Sequence, residues 1–277
     1  MQAHPEFIDI QERMCRMNQQ TVDKVLRNLA ERDPDFFMEC DADFSMELQK
    51  LMCGPGLMLL SGPPEMGCTA LALSIALCLA KHHRKKVLYF TSDSTREAMI
   101  RRLLCMEARV DLDALWDRFL DDAGWARICA VADTMKSIPL EIYDDPLLTT
   151  EEIAQICGKH DSVGLVVIDR LQTAAHLPTE ENCILAQLST LAEREQIPIL
   201  CLNTIRGGDG KGPDMWDLRD LRPSFDVIDK VLFLHREDYF DPAAEPGKAT
   251  CYVRMNRQGR GTKQIELQWL PDCKVFR

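Results

Sequence analysis

The chain has 12 cysteines in 277 residues, yet no two of them stand in a C-x-x-C spacing. That removes the commonest zinc and redox arrangement. Most of the cysteines lie inside apolar runs, such as Ile75 to Leu79 and Pro198 to Leu202, so reduced thiols in a reducing compartment are expected. No apolar run reaches the ~18 residues of a membrane span. Met1 to Glu6 shows no basic region leading into an apolar core, so no signal peptide is expected and the protein is expected to be cytoplasmic, with no membrane partner. Positive charge is short. There are 33 Lys and Arg against 44 Asp and Glu, a net charge of −11. A strong nonspecific nucleic-acid binder shows a basic footprint, and the outer surface of this chain should not. A ring with an acidic exterior and a locally basic channel stays compatible with that balance.

Composition is otherwise that of a globular protein, with 46% hydrophobic and 28% charged residues. The length suits one α/β core plus an N-terminal extension. The stretch Gly62-Pro63-Pro64-Glu65-Met66-Gly67-Cys68-Thr69 organises the chain. An apolar run, Leu57 to Ser61, precedes it and reads as a buried strand; Ala70 to Ala80 follows and reads as a helix. Strand, Gly-bearing turn and helix form the frame of a phosphate-binding P-loop, G-x-x-x-x-G-K-[ST]. Gly62 and Gly67 have the required spacing, and Thr69 stands where a magnesium-ligating hydroxyl belongs. The lysine position holds Cys68. Loop amides and a helix N-terminus can still cradle an anion. The point charge that a lysine places at the β- and γ-phosphates is missing.

Residues 1–42 differ from the rest. Val22, Val25, Leu26 and Leu29 give Val22 to Glu31 an amphipathic helical pattern, which Asp33-Pro34 stops. That helix either packs on its own domain or docks on a neighbouring subunit. A short helix fits Ser45 to Met52. Beyond the loop, Val87 to Ser92 reads as a strand with Asp93 at its C-terminal end, the edge where open α/β sheets bind ligands. A helix runs from about Thr95 to Ala108, more helix lies in residues 111–136, a short strand covers Leu140 to Asp145, and Thr149 or Thr150 caps a helix. Val163 to Ile168 is an apolar run ending in Asp169, the Walker B form, in which the aspartate holds the water shell of a magnesium ion. Asn182 to Glu195 reads as a helix and Ile197 to Asn203 as a buried strand. Arg206 to Pro213 follows, carrying Lys211 and four glycines; it is a plain surface loop or a channel-facing loop that meets DNA or a partner. Val227 to Arg236 leads into another strand. Strands Ala249 to Met255 and Gln264 to Leu270 flank the doubly basic turn at Arg257 and Arg260. Strand and helix alternate, which predicts a mostly parallel sheet with helices on both faces.

These pieces, in this order, resemble the C-terminal motor domain of the DnaB-type replicative DNA helicases, a RecA-like P-loop NTPase fold. Residues 43–277 carry the likeness. Leu103 to Asp111, Ile168 to Gln172, Asp217 to Asp220, Val231 to Phe240 and the Arg257 hairpin add to the loop. The resemblance implies a hexameric ring with ATP and Mg²⁺ at subunit interfaces, single-stranded DNA in the channel and replication proteins as partners. It gives Asp93 the place of a water-polarising glutamate, Asp169 the metal site with Thr69, and Arg257 the arginine finger that reaches a neighbour's ATP. Arg206 and Lys211 would face DNA. With only about 50 residues ahead of the motor-like part, the family's primase-binding N-terminal domain is expected to be absent. Four departures fall in one site: Cys68 for lysine, Asp93 for glutamate, Thr204 where a glutamine senses the γ-phosphate, and Met255 where a lysine would stand. The expected activity is therefore a DnaB-like ATPase with impaired hydrolysis. The alternatives are a non-hydrolysing pseudo-ATPase that regulates a replication or mobile-element complex, and a scaffold that uses only the fold's surfaces. Arg84 and Lys85 would lie at the far end of the loop helix, too far to replace the lysine, and Arg260 of a neighbouring subunit is the better substitute.

Overall fold

The computed structural model describes residues 46–117, 119–146, 149–170, 178–206, 212–259 and 262–277. The amphipathic stretch 22–31, Lys211 and Arg260 lie outside them. Nine strands form one sheet in the order β3-β2-β4-β5-β1-β6-β7-β8-β9. They are β1 Gly56–Gly62, β2 Lys86–Thr91, β3 Leu140–Tyr143, β4 Val163–Asp169, β5 Pro198–Thr204, β6 Lys230–Arg236, β7 Lys248–Asn256, β8 Lys263–Leu270 and β9 Val275–Phe276. The first six pair in parallel. The last three add on in antiparallel register. The expected mostly parallel sheet is present, with a C-terminal hairpin at one side.

Helices cover both faces, as buried parallel strands require. One face is packed by α1 (Met46–Leu51), α2 (Cys68–Lys81), α3 (Arg96–Ala108) and α5 (Asp122–Lys136). Tyr89, Leu165 and Val167 point into that layer. The other face takes α6 (Thr150–Cys157), α7 (Pro178–Glu195) and a 3₁₀ segment, Met215–Val227, over Leu88, Phe90, Val166 and Ile168. The short α4 (Leu112–Trp116) closes a satellite core with α3 and α5. The alternation 165, 167, 169 along β4 therefore aims Asp169 at the α2 layer, beneath the loop.

The helix ends follow local chemistry. Thr95 and Asp121 accept N–H bonds at the starts of α3 and α5, and Thr149 with Glu152 forms a capping box on α6. Two boundaries and two whole elements differ from expectation. The strand at Leu140 stops at Tyr143 rather than Asp145, α7 begins at Pro178 rather than Asn182, and the 3₁₀ segment and β9 had no periodic signal. Pro178 starts a helix readily because its missing N–H is one the first turn leaves unused.

The last strand anchors the loop. Phe276 is buried, stacks at a tilt on Trp269 with centroids 4.6 Å apart, and donates its N–H to Ser74 Oγ in α2 at 3.4 Å. Its ring lies where a side chain on Gly67 would go: a Cβ there would come within 2.9 Å of it. Phe276→Ala should cost about 3–5 kcal/mol of stability, the range for deleting a buried aromatic. Chemical denaturation measures that loss, and faster amide exchange across residues 62–69 is expected beside it.

Candidate functional site

The loop leaves β1 at Gly62 and enters α2 at Cys68. Two positive backbone angles shape it: Glu65 at φ 62° and Gly67 at φ 106°. Gly67 has two reasons to be glycine, the left-handed backbone and the Phe276 ring. It is also the N-cap of α2 and offers no side-chain cap, so the first-turn amides are left to other acceptors. Pro64 and Glu65 are exposed, while Pro63 and Met66 are buried and pin the turn.

Cys68 does not point outward. A Cβ added to Gly62 would sit 2.8 Å from its Sγ, so the thiol folds back over the start of the loop. The side chain packs against the core, and burial, with the Asp169 charge adding to it, pushes the thiol up to about 12. Cys68 is a neutral filler, not a thiolate at a helix N-terminus.

Thr69 and Asp169 meet. Thr69 Oγ1 donates to Asp169 Oδ1 at 3.3 Å, and Tyr89 OH donates to Oδ2 at 2.8 Å. Asp169 is 5% exposed and Tyr89 fully buried. Burial raises the Asp169 carboxyl above its ordinary range. The Tyr89 and Thr69 hydrogen bonds and the Arg170 charge pull the other way, and Asp93 adds to the rise. Burial also pushes the Tyr89 phenol well up. Asp93 is exposed, just past β2, and its Oδ2 takes an ion pair from Arg170 Nη2 at 3.0 Å. Thr91, paired with Asp169 across β2 and β4, is buried on the same face of β2 as Tyr89, and its Oγ1 has no partner among the described residues. Thr204 ends β5 opposite Gly62, and Ile205 N–H donates to the Gly62 carbonyl at 3.1 Å.

The structure thus brings residues 62–69, Asp93 and Asp169 to one edge of the sheet. Arg257 is elsewhere. It follows Asn256, which pairs with Lys230 at the start of β6, so it lies at the opposite edge. Its guanidinium donates to the Ile228 carbonyl at 3.0 Å and the Phe225 carbonyl at 2.8 Å. Arg206 is exposed after β5. The Lys85 stem lies over Gly164 at the start of β4, so it offers no charge to the loop. Among the described residues no group of three or more His, Cys, Asp and Glu could hold a metal ion by itself; a magnesium ion that also takes phosphate oxygens needs only one or two protein ligands. The donor set fits a magnesium ion in that setting: one hydroxyl, one carboxylate, and an orphaned buried hydroxyl beside them. Sequence reading missed Tyr89, Thr91 and Arg170. The two hints were a polar-tipped residue in the middle of an apolar strand and an arginine directly after the Walker B aspartate.

Comparison with known proteins gives a consistent result. The model of the DnaB-like helicase C-terminal domain matches residues 46–277. The "Replicative DNA helicase DnaB" of Leifsonia xyli subsp. xyli is 31% identical over 240 residues, 80% of this chain and 52% of that protein. The "Replicative DNA helicase DnaC" of Bacillus subtilis is 26% identical over 216 residues, 72% of this chain and 48% of its own length. The chain therefore spans about half the length of the curated relatives it matches. A solved DnaB-like replicative helicase, described with its primase interactions, superposes with a TM-score of 0.74 at 16% identity, covering 96% of this chain and 75% of that one. That likeness shows the RecA-like fold.

Proposed function

The chain belongs to the DnaB-like helicase C-terminal domain family, and from that premise we propose that it is a magnesium–ATP-binding motor module of the replicative-helicase type whose hydrolysis is impaired at the loop. The observation that carries the reading is the contrast within one site. Thr69, Asp169 and the uncapped α2 amides keep the form of a binding site, while a neutral, folded-back Cys68 stands in place of the charge that hydrolysis uses. Bound ATP and Mg²⁺ would supply the phosphoryl group and its counter-charge. The residues that would hold them are the amides from Gly62 to Thr69, the Thr69 hydroxyl and the Asp169 carboxylate. Asp93 would orient the attacking water, one methylene short of a glutamate.

Arg257, at the opposite edge of the sheet, suits a role toward a neighbouring copy, so a hexameric ring with single-stranded DNA in its channel belongs to the same reading. Arg206, exposed after β5, would face that DNA. Residues 1–42 form the linker extension and 43–277 the motor domain. Replication proteins, such as the primase named for the structural neighbour, are the partner class. A second reading, a non-hydrolysing module that regulates or scaffolds such a complex, draws on the ion pair that occupies Asp93.

Steady-state ATP turnover, with and without single-stranded DNA, tests the choice. Slow but DNA-stimulated turnover, roughly 10²–10³-fold below that of the Cys68→Lys variant, is expected for an impaired motor. No turnover in either protein supports the scaffold reading. Equal turnover in both refutes impairment at Cys68.

A further inference from the structure

Arg170 directly follows Asp169, its charge acts on the Asp169 carboxyl, and its guanidinium is spent on Asp93. The pair measures 3.0 Å, with both side chains nearly half exposed, at 43% and 45%. An ion pair that open is screened and weakly held. The surroundings give Arg170 a competing task. Asp169 lies within reach of the Arg170 charge and touches Thr69, the first helical turn of the loop motif. The loop itself has no cation, because Cys68 fills that position. The buried Thr91 hydroxyl, unpartnered among the described residues, ends β2 opposite Asp169 and two residues before Asp93, and marks unused hydrogen-bonding capacity beside the carboxylates. A guanidinium prefers the paired oxygens of a phosphate to a single contact with a carboxylate oxygen, since two parallel charge-assisted bonds replace one.

We infer that Arg170 is a latch: it holds Asp93 while no terminal phosphate is present, and leaves Asp93 for that phosphate when a nucleoside triphosphate binds. This rests on the nucleotide-site reading above. Arg170 then contributes in cis part of the charge that Cys68 lacks, and its departure frees the Asp93 carboxylate for water. A diphosphate offers no terminal phosphate at that point, so the pair stays closed. Arg170 is thereby a specificity-determining residue for triphosphate over diphosphate.

The test is calorimetric titration of magnesium with ADP, and of magnesium with a non-hydrolysable imido analogue of ATP, into wild type, Arg170→Gln and Asp93→Asn. Both substituted residues are half exposed, and matching thermal melts establish that the variants fold. Arg170→Gln should weaken the analogue roughly 10-fold while ADP changes less than about 2-fold. Asp93→Asn, which releases Arg170 in advance, should tighten the analogue about 3-fold and leave ADP unchanged. Equal effects of Arg170→Gln on the two nucleotides, or none, overturn the latch and leave the nucleotide site standing. Failure of both wild type and Cys68→Lys to bind either nucleotide overturns the nucleotide site and the latch together.

Discussion

Cys68→Lys is expected to raise ATP turnover on single-stranded DNA by roughly 10²–10³-fold, the scale on which one positioned charge acts at a phosphoryl-transfer site. The frame around the position is already that of a P-loop. Gly67 is held by its backbone and by Phe276, Thr69 is on Asp169, and the α2 amides are uncapped. What the site lacks is charge, since the thiol is neutral and folded over Gly62. A lysine stem cannot fold into that small space and must run along the loop, toward the place where the phosphates would lie. Turnover assays under saturating ATP measure the gain. A rise of less than about 2-fold would move the defect to Asp93 or Thr204, because a charge worth this much cannot be silent if it is the missing element.

The second large effect belongs to Asp169→Asn. Binding of ATP that depends on Mg²⁺ should weaken about 100-fold, the upper end of losses seen even for outer partners of a metal. Stability should move the other way. The amide keeps an oxygen to accept from Tyr89, and it removes the cost of a carboxylate that is 5% exposed. Because burial raises the Asp169 pKa, the folded chain binds its proton more tightly than the unfolded chain. Stability therefore falls as pH rises from the ordinary carboxylate range through the raised folded value, and Asp169→Asn should flatten that fall. Denaturant melts across acid to neutral pH read it directly. Asp169→Ala separates the two roles: it strands the Tyr89 hydroxyl in the core, at a cost of about 1–3 kcal/mol.

The positions of the loop and of Asp169 were legible in the sequence because their signals are local. Gly62 and Gly67 are spaced by the turn they build, and Asp169 ends an apolar run that can only be a buried strand. The sheet's parallel part was legible for the same reason, from the alternation of apolar runs with helical periods. The partners of the site were not. Tyr89 meets Asp169 across 80 positions of sequence, and Arg170 finds Asp93 only because β2 and β4 lie side by side. Phe276 reaches Gly67 only once β9 has closed on β8, and a two-residue strand has no period to detect. The folded-back Cys68 thiol is likewise a tertiary fact. Its position between a helix N-terminus and a core strand could have produced a reactive thiolate, and packing decided otherwise.

The most direct single measurement is calorimetric titration of magnesium–ATP into the wild-type protein. Saturable binding that vanishes when the magnesium is chelated is the expected result, since Thr69, Asp169 and the loop amides remain in place without the lysine. Absence of binding in the wild type, persisting in Cys68→Lys, would contradict a nucleotide site in this chain.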